Sequence, residues 1–305
     1  MPEIRVGTSS WTDPSLIEAG WYPAGMKDAE SRLRFYASRF NLVEVDSTYY
    51  GMPSERNAHL WVERTPDDFV FNVKAYALLT QHPTEANSLP AAIRHGFKAR
   101  RVYQKDVPDK IVDMIFEQFA MALEPLRAAG KLGALLFQFP EWFVPGSESR
   151  AYIERCQALL PQHRLAIEFR NRTWMDRPEE TLAWLEDRDL TYVCVDAPPG
   201  FTTSMPPVTA ATSRELAFVR FHGRNTDTWN VKGVSVQERF NYRYDETELA
   251  EWVPRIDALA EQARTVHVLF NNCFRDHGVV NARQLASMLD VALDAEDEQP
   301  SLFEG

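Results

Sequence analysis

Cysteine is scarce: the chain has three in 305 residues. Cys156, Cys194 and Cys273 are far apart and in no paired spacing, which argues against a disulfide framework or a zinc knuckle and fits a reducing cytoplasm. Long hydrophobic runs are missing too. None approaches the roughly 18 residues of a membrane helix, so no membrane partner is expected. The opening MPEIRVGTSSW runs straight into a strand-like segment, which predicts no signal peptide. The glycine-rich phosphate turn of dinucleotide-binding folds is lacking as well, because VGTSSW is not GxGxxG. Cations are in deficit, with 33 Lys and Arg against 44 Asp and Glu and a net charge of -11. That balance disfavours a nonspecific nucleic-acid coat. Together these absences predict a cytoplasmic protein with no cofactor, a divalent metal being kept open.

What the chain does have is alternation. Eight short apolar runs are rich in Val, Phe, Leu and Ile: 4–10, 42–48, 69–76, 132–140, 165–170, 191–197, 216–224 and 265–272. Between most of them lie amphipathic helical segments with physical start signals. Asp28, Ser54, Ser147, Asp245 and Asn281 stand as N-caps, and Pro108 and Pro178 open helices where a missing N–H costs nothing. The connection between the sixth and seventh strands, APPGFTTSMPPVTAATS, has too many prolines for regular structure, and the loop after the third strand is long. Strand–helix alternation repeated eight times predicts parallel strands closed into an α/β (β/α)8 TIM barrel, a single domain over 1–293. The acidic segment 294–305 is expected to be a flexible tail.

A barrel strand is covered on both faces, so polar residues within it need a reason. One parity is apolar: Val43 and Val45, Phe69, Phe71 and Val73, Ile167 and Phe169, Val193 and Val195, Val219 and Phe221, Val268 and Phe270. These are expected to face the helices. The other parity carries Glu44 and Asp46, Asn72 and Lys74, Gln138, Glu168 and Arg170, Asp196, Arg220, His222 and Arg224, and Asn271. Seven strands place such groups at their C-terminal ends, the rim that holds the active site in barrel enzymes. Each would cost several kcal/mol if buried unpaired, so routine core packing is a poor explanation. A structural ion-pair network is the competing one.

The rim charges nearly cancel. Carboxylates and imidazoles in excess would suit a dedicated metal site; three or four cations suit an anion gripped by Arg forks. Lys74, Arg170, Arg220 and Arg224 are therefore expected to bind phosphate, helped by Asn72, Gln138 and Asn271. Glu168, Asp196, His222, Asp46 and Glu44 are the candidate catalytic groups. Trp11, Tyr49 and Tyr50 follow the first two strands and offer rings for stacking, with lid packing as the alternative. After the third strand, RHGFKARRVYQK holds Arg94, Lys98, Arg100, Arg101 and Lys105 without an acid, a pattern that suits a DNA backbone.

The strand-end motifs VGTSSW (6–11), WYP (21–23), VEVDSTYYGMPS (43–54), TPDDFVFNVKA (65–75), LGALLFQFP (132–140), AIEFRNRTW (166–174), FVRFHGR (218–224) and LFNN (269–272) together resemble the YecE-like family, domain of unknown function 72. The resemblance covers nearly the whole chain and implies a TIM barrel without an established reaction. Ser10, Asp46 and Tyr49 stand where the family pattern has Gly, Asn and Phe. The architecture is also similar to the endonuclease IV and xylose isomerase type of barrel, whose several metal ligands are matched on this rim only by His222.

The chain ends in EQPSLFEG. Gln299, Leu302 and Phe303 have the spacing of the short peptide by which bacterial replication and repair proteins bind the sliding clamp. A tail that orders on binding needs a few deep apolar anchors, and Leu302 and Phe303 supply them. Docking of this pair on the protein's own surface is the alternative. Tethering to a clamp would also reconcile a net acidic chain with a DNA substrate. The sequence thus points to an enzyme with hydrolase- or nuclease-like acid/base chemistry on a phosphate-containing substrate, DNA in replication-linked repair being favoured. A small anionic metabolite or sugar phosphate, or a non-catalytic binding role, stands behind it.

Overall fold

The structure is a computed structural model and describes residues 2–94 and 96–293. The eight apolar runs form eight parallel strands: β1 (Glu3–Ser9), β2 (Leu42–Val45), β3 (Val70–Lys74), β4 (Leu132–Gln138), β5 (Leu165–Glu168), β6 (Thr191–Asp196), β7 (Leu216–Phe221) and β8 (Thr265–Phe270). They close into a barrel in sequence order, with β1 paired to both β2 and β8. Surrounding helices complete the (β/α)8 architecture. Among the described residues no helix is long and apolar enough to cross a membrane.

Most helix starts follow the local chemistry. Asp28 accepts from Ser31 N at 2.8 Å and Ser54 from Asn57 N at 3.2 Å, each satisfying a first-turn donor. Pro178 is the first residue of its helix, and Asp245 forms a capping box with Glu248. Ser147 begins its helix one step inside, with Gly146 as the cap. Asn281 is not a cap: the last helix starts at His277 and buries Asn281 within it. Its amide accepts from Tyr244 N at 3.0 Å and donates to Tyr244 O at 2.9 Å, so tertiary bonding takes the side chain that looked like a cap. The proline-rich connection after β6 is irregular, as its composition requires.

One close approach and one left-handed residue constrain the backbone here. A Cβ on Gly133 would come within 2.5 Å of Asn72 Oδ1 and 2.9 Å of His267 Cε1, so β4 must pass bare against the interior there. Ser10 takes φ 72, a left-handed backbone that favours glycine. Here the hydroxyl offers partial compensation by accepting from Thr12 N at 3.1 Å.

Register decides which residues enter the barrel, because paired residues of neighbouring parallel strands share a face. Ser9, Glu44 and Asn72 align, as do Gln138 and Glu168, and Arg220 aligns with Leu269. All point inward, as expected. In β6 the expectation is reversed. Val195 aligns with inward Arg220, and Asp196 aligns with outward Phe221. The strand is buried on both faces throughout, so hydrophobicity alone could not distinguish them.

Candidate active site at the barrel mouth

The interior fills in layers from the bottom. Asn72 Oδ1 accepts from Ala134 N at 2.9 Å and lies 3.1 Å from His267 Nδ1. Burial, with Arg5 and Arg164 nearby, pushes His267 down to about 3. Asn72 is therefore a core ligand of the barrel wall, not the substrate contact expected of it.

Above this layer sits a dry charge cluster. Arg220 Nη2 bonds Glu44 Oε1 at 2.6 Å, and its Nη1 bonds Glu168 Oε2 at 2.5 Å; all three side chains are 0% exposed. Glu168 Oε1 also receives Gln138 Nε2 at 2.7 Å and meets His222 Nε2 at 2.9 Å. Burial works against the Glu168 charge, but Arg220, His222 and Arg170 outweigh it and hold the carboxyl well below its usual range. Burial dominates at Glu44 and raises its carboxyl despite Arg220 and Lys74. His222 is pushed down to about 4 by burial, against the pull of Glu168. A neutral ring can donate from Nε2 to Glu168 and accept at Nδ1 from Asn271 Nδ2, 2.9 Å away. Glu168 and His222 are thus engaged on every side, an anchor for the groups around them.

Gln138, Arg170 and Asn271 carry this cluster to an open cavity of about 390 Å3. Asp46, Tyr49, Tyr50, Lys74 and His82 line one side; Glu141, Trp142, Trp229, Arg239 and Phe240 line others. Arg170 Nη1 is 3.6 Å from Glu168 Oε1, and its guanidinium lies 4.8 Å from the Trp229 ring centre. Lys74 Nζ stands 4.6 Å over the Tyr49 ring. It makes no hydrogen bond or ion pair with any described residue. Burial and the Arg220 charge push its ammonium down, against Glu44, Glu168 and Asp46. Burial raises the Asp46 carboxyl, opposed by Lys74. His82, pushed down to about 3 by burial and by Lys74 and Arg170, bonds Thr80 Oγ1 at 2.8 Å and meets Tyr49 and Trp142 edge-on.

Three expected residues lie elsewhere. Asp196 faces the helix layer, where its carboxylate accepts from Tyr244 Oη at 2.7 Å, Trp252 Nε1 at 2.8 Å and Arg224 Nη2 at 2.8 Å. Arg224 also bonds Glu251 at 2.8 Å. The pair borders a separate hollow of about 400 Å3 under the proline-rich connection, outside the mouth. Trp11 is 7% exposed and packs edge-on against Trp61 and outward-facing Phe71, so it is core rather than a stacking platform.

Of the basic segment, Arg94, Lys98, Arg100 and Arg101 are exposed, and Lys105 lies 5.8 Å from the Tyr103 ring centre. Thr84–Glu85 pairs antiparallel with Arg101–Val102, starting two residues beyond His82 at the cavity edge. Glu85 pairs with Arg100 at 3.2 Å and Arg101 at 3.1 Å, supplying across the hairpin the acid that the segment lacks. Gln299, Leu302 and Phe303 lie outside the described residues.

Sequence reasoning missed Trp142, Glu141, Trp229, Arg239 and Phe240. The signal was available in the length of the loop after β7, where Trp229 and Phe240 bracket a Ser235–Glu238 capping box. Both rings sit beside His222, at 6.3 and 5.7 Å. Among the described residues no three His, Cys, Asp or Glu side chains converge to hold a metal ion. Arg220 occupies the two carboxylates, Glu44 and Glu168, that would have started such a set.

The family model described as "Protein of unknown function DUF72" matches residues 5–302. The chain belongs to the DUF72 family. It is 32% identical over 293 residues to the UPF0759 protein YunF of Bacillus subtilis, covering 94% of this chain and 95% of that one. It is 26% identical over 199 residues to the UPF0759 protein YecE of Escherichia coli O157:H7, covering 64% of this chain and 60% of YecE. A crystal structure of a DUF72 family protein from Enterococcus faecalis superposes with a TM-score of 0.77 at 25% identity, over 95% of this chain and 96% of the other. DUF72 membership thus agrees with the YecE-like strand-end motifs and with the closed barrel.

Proposed function

We propose that the chain is an enzyme acting on a phosphate-containing substrate at the barrel mouth, with DNA in replication-linked repair as the favoured substrate. The observation that carries this is the set of three cations, Lys74, Arg170 and Arg239, lining one cavity whose acidic lining is Asp46 and Glu141. Guanidinium forks suit phosphate oxygens, and Arg170 is braced for that role by Trp229 and Glu168. Tyr49, Tyr50, Trp142, Trp229 and Phe240 offer rings for a base or sugar. Asp46, with its carboxyl raised by burial, is the group suited to proton transfer. The hairpin bearing Arg100 and Arg101 supports a strand lying across the rim, and Gln299, Leu302 and Phe303 support a clamp tether.

A second reading, a small sugar phosphate, is favoured by the cavity volume of about 390 Å3. That falls near the lower end of the ~300–1,000 Å3 typical of small-molecule sites. Calorimetric titration with ribose 5-phosphate and with a short single-stranded oligonucleotide separates the two. Arg170→Ala should weaken whichever ligand binds by about tenfold or more, the loss of a charge-assisted bond of ~1.5–3 kcal/mol. Arg224→Ala, beyond the barrel wall, should leave it unchanged. Pull-down of the clamp with and without residues 298–305 tests the tether. Absence of binding to either ligand, or equal effects of the two Arg variants, would refute the phosphate reading.

A further inference from the structure

We propose that Lys74 is the amine nucleophile of this site, forming an imine with an aldehyde or ketone carried by a phosphorylated sugar. The inference rests on the phosphate reading above and adds a reaction class to it.

The geometry sets Lys74 apart from the other cations. Arg220 is clamped between Glu44 and Glu168, and Arg170 leans on Glu168 and Trp229. Lys74 comes from the end of β3 into the same cavity, and its Nζ stands 4.6 Å over the face of Tyr49, making no hydrogen bond or ion pair with any described residue. A lysine serving as a counter-ion would be placed against a carboxylate. Here the two carboxylates that are 0% exposed, Glu44 and Glu168, are already bonded at 2.6 and 2.5 Å by Arg220, and Asp46 makes no ion pair with Lys74. The charged and titratable groups around the amine are Arg220, Glu44, Glu168, Asp46, Tyr49 and His82. Burial and the Arg220 charge favour the neutral amine, and the three carboxylates oppose them. An amine desolvated beside a fixed cation is the usual means of activating lysine as a nucleophile.

The chemistry closes without any further reagent. The Nζ lone pair attacks the carbonyl carbon, an N–C bond forms, and the carbonyl electron pair moves to oxygen, which takes the first Nζ proton. The carbinolamine hydroxyl then leaves as water with a proton from the Asp46 carboxyl, and the second Nζ proton returns to the Asp46 carboxylate as C=N forms. Amine plus carbonyl thus gives imine plus one water. Arg170 and Arg239, on the same cavity wall system, would hold the phosphate while the carbonyl faces Lys74. The carbonyl sugar has two sources, a free sugar phosphate or an abasic deoxyribose within a DNA strand. In the second, the imine acidifies C2′–H. Loss of that proton forms the C2′=C3′ bond, and the 3′ phosphate departs with the C3′–O electron pair.

The test is reductive trapping. The full chain is incubated with borohydride and either glyceraldehyde 3-phosphate or a single-stranded oligonucleotide bearing one abasic site. The adduct is located by peptide mass mapping, and binding of each unreduced ligand is measured in parallel. The expected result is an adduct on Lys74 with one of the two ligands, lost in Lys74→Arg, which keeps the positive charge but cannot form an imine. Strand cleavage at the abasic site marks the DNA source. Should Lys74→Arg fail to fold, the mapped position in the parent protein still decides. Ligand binding without an adduct on Lys74, or equal labelling of exposed Lys98 and Lys110, overturns the imine and leaves the phosphate reading standing. Failure of both ligands to bind removes the phosphate reading as well.

Discussion

Replacing Arg220 by Met should be among the most damaging single changes in the barrel. Arg220 is 0% exposed and bonds Glu44 at 2.6 Å and Glu168 at 2.5 Å, both of them 0% exposed. Arg220→Met fills most of the volume but leaves two carboxylates in a dry interior without their shared cation. Breaking a buried pair by removing one partner costs about 3–5 kcal/mol. The loss should depend on pH in a definite direction. Without Arg220, burial and mutual repulsion place both folded-state carboxyl pKa values above the unfolded value of about 4.3. The variant's native state then binds protons that its unfolded state does not, so its deficit relative to the parent shrinks as pH falls. The recovery is at most about 1.4 kcal/mol per pH unit for each such group. Urea denaturation of parent and variant at pH 7.5 and pH 5.5 reads both effects. A companion variant, Arg220→Met with Glu44→Gln and Glu168→Gln, should regain much of the loss, because the uncompensated charges are gone. A deficit under ~1 kcal/mol at pH 7.5, or an identical deficit at both pH values, would refute the reasoning.

The parent should itself lose stability on mild acidification. His82, His222 and His267 sit at about 3, 4 and 3 in the fold, below the unfolded value of about 6.5. Between 6.5 and those values the unfolded chain takes up protons that these native histidines refuse, so their contribution to stability falls as pH drops below 6.5, opposed near the carboxyl range by Glu44 and Asp46, which burial raises. His267→Asn should flatten that slope in denaturation curves between pH 6.5 and 5, and an unchanged slope would count against it. Asp196→Asn should cost about 1–3 kcal/mol, the price of weakened bonds to Arg224, Tyr244 and Trp252, yet leave ligand binding at the mouth intact by calorimetry. An equal loss of binding would place Asp196 functionally inside the site.

The barrel was legible because strand–helix alternation is written in local pattern: seven strands fall within the runs read from sequence, and β1 begins one residue before its run. The inner charge cluster was legible for a related reason: Glu44, Glu168, Arg220 and His222 are polar groups at barrel-strand positions where hydrophobic side chains are the rule. Asp196 has the same signature and the opposite facing. A polar residue at a strand's C-terminal end is marked by burial, but its side of the sheet is set by pairing register with a neighbour far away in sequence. Trp11 lies just past a strand end, where sequence does not say whether a ring turns to the mouth or to the core; it packs on Trp61 and Phe71. The cavity wall contributed by Trp142, Trp229, Arg239 and Phe240 was missed because loop residues converge only after the barrel closes. Free Lys74 could be seen as a rim cation from sequence, but its lack of a carboxylate partner required knowing that Arg220 takes both.

Phosphate binding at the mouth is tested most directly by a crystal structure of the protein with a bound phosphorylated sugar. The prediction is a phosphate within hydrogen-bonding distance of Arg170, in the cavity between Tyr49 and Trp229, and no phosphate there in an Arg170→Ala crystal grown in the same ligand. Phosphate held instead beside Arg224 and Asp196, or by the Arg100–Arg101 hairpin with the mouth empty, would contradict it.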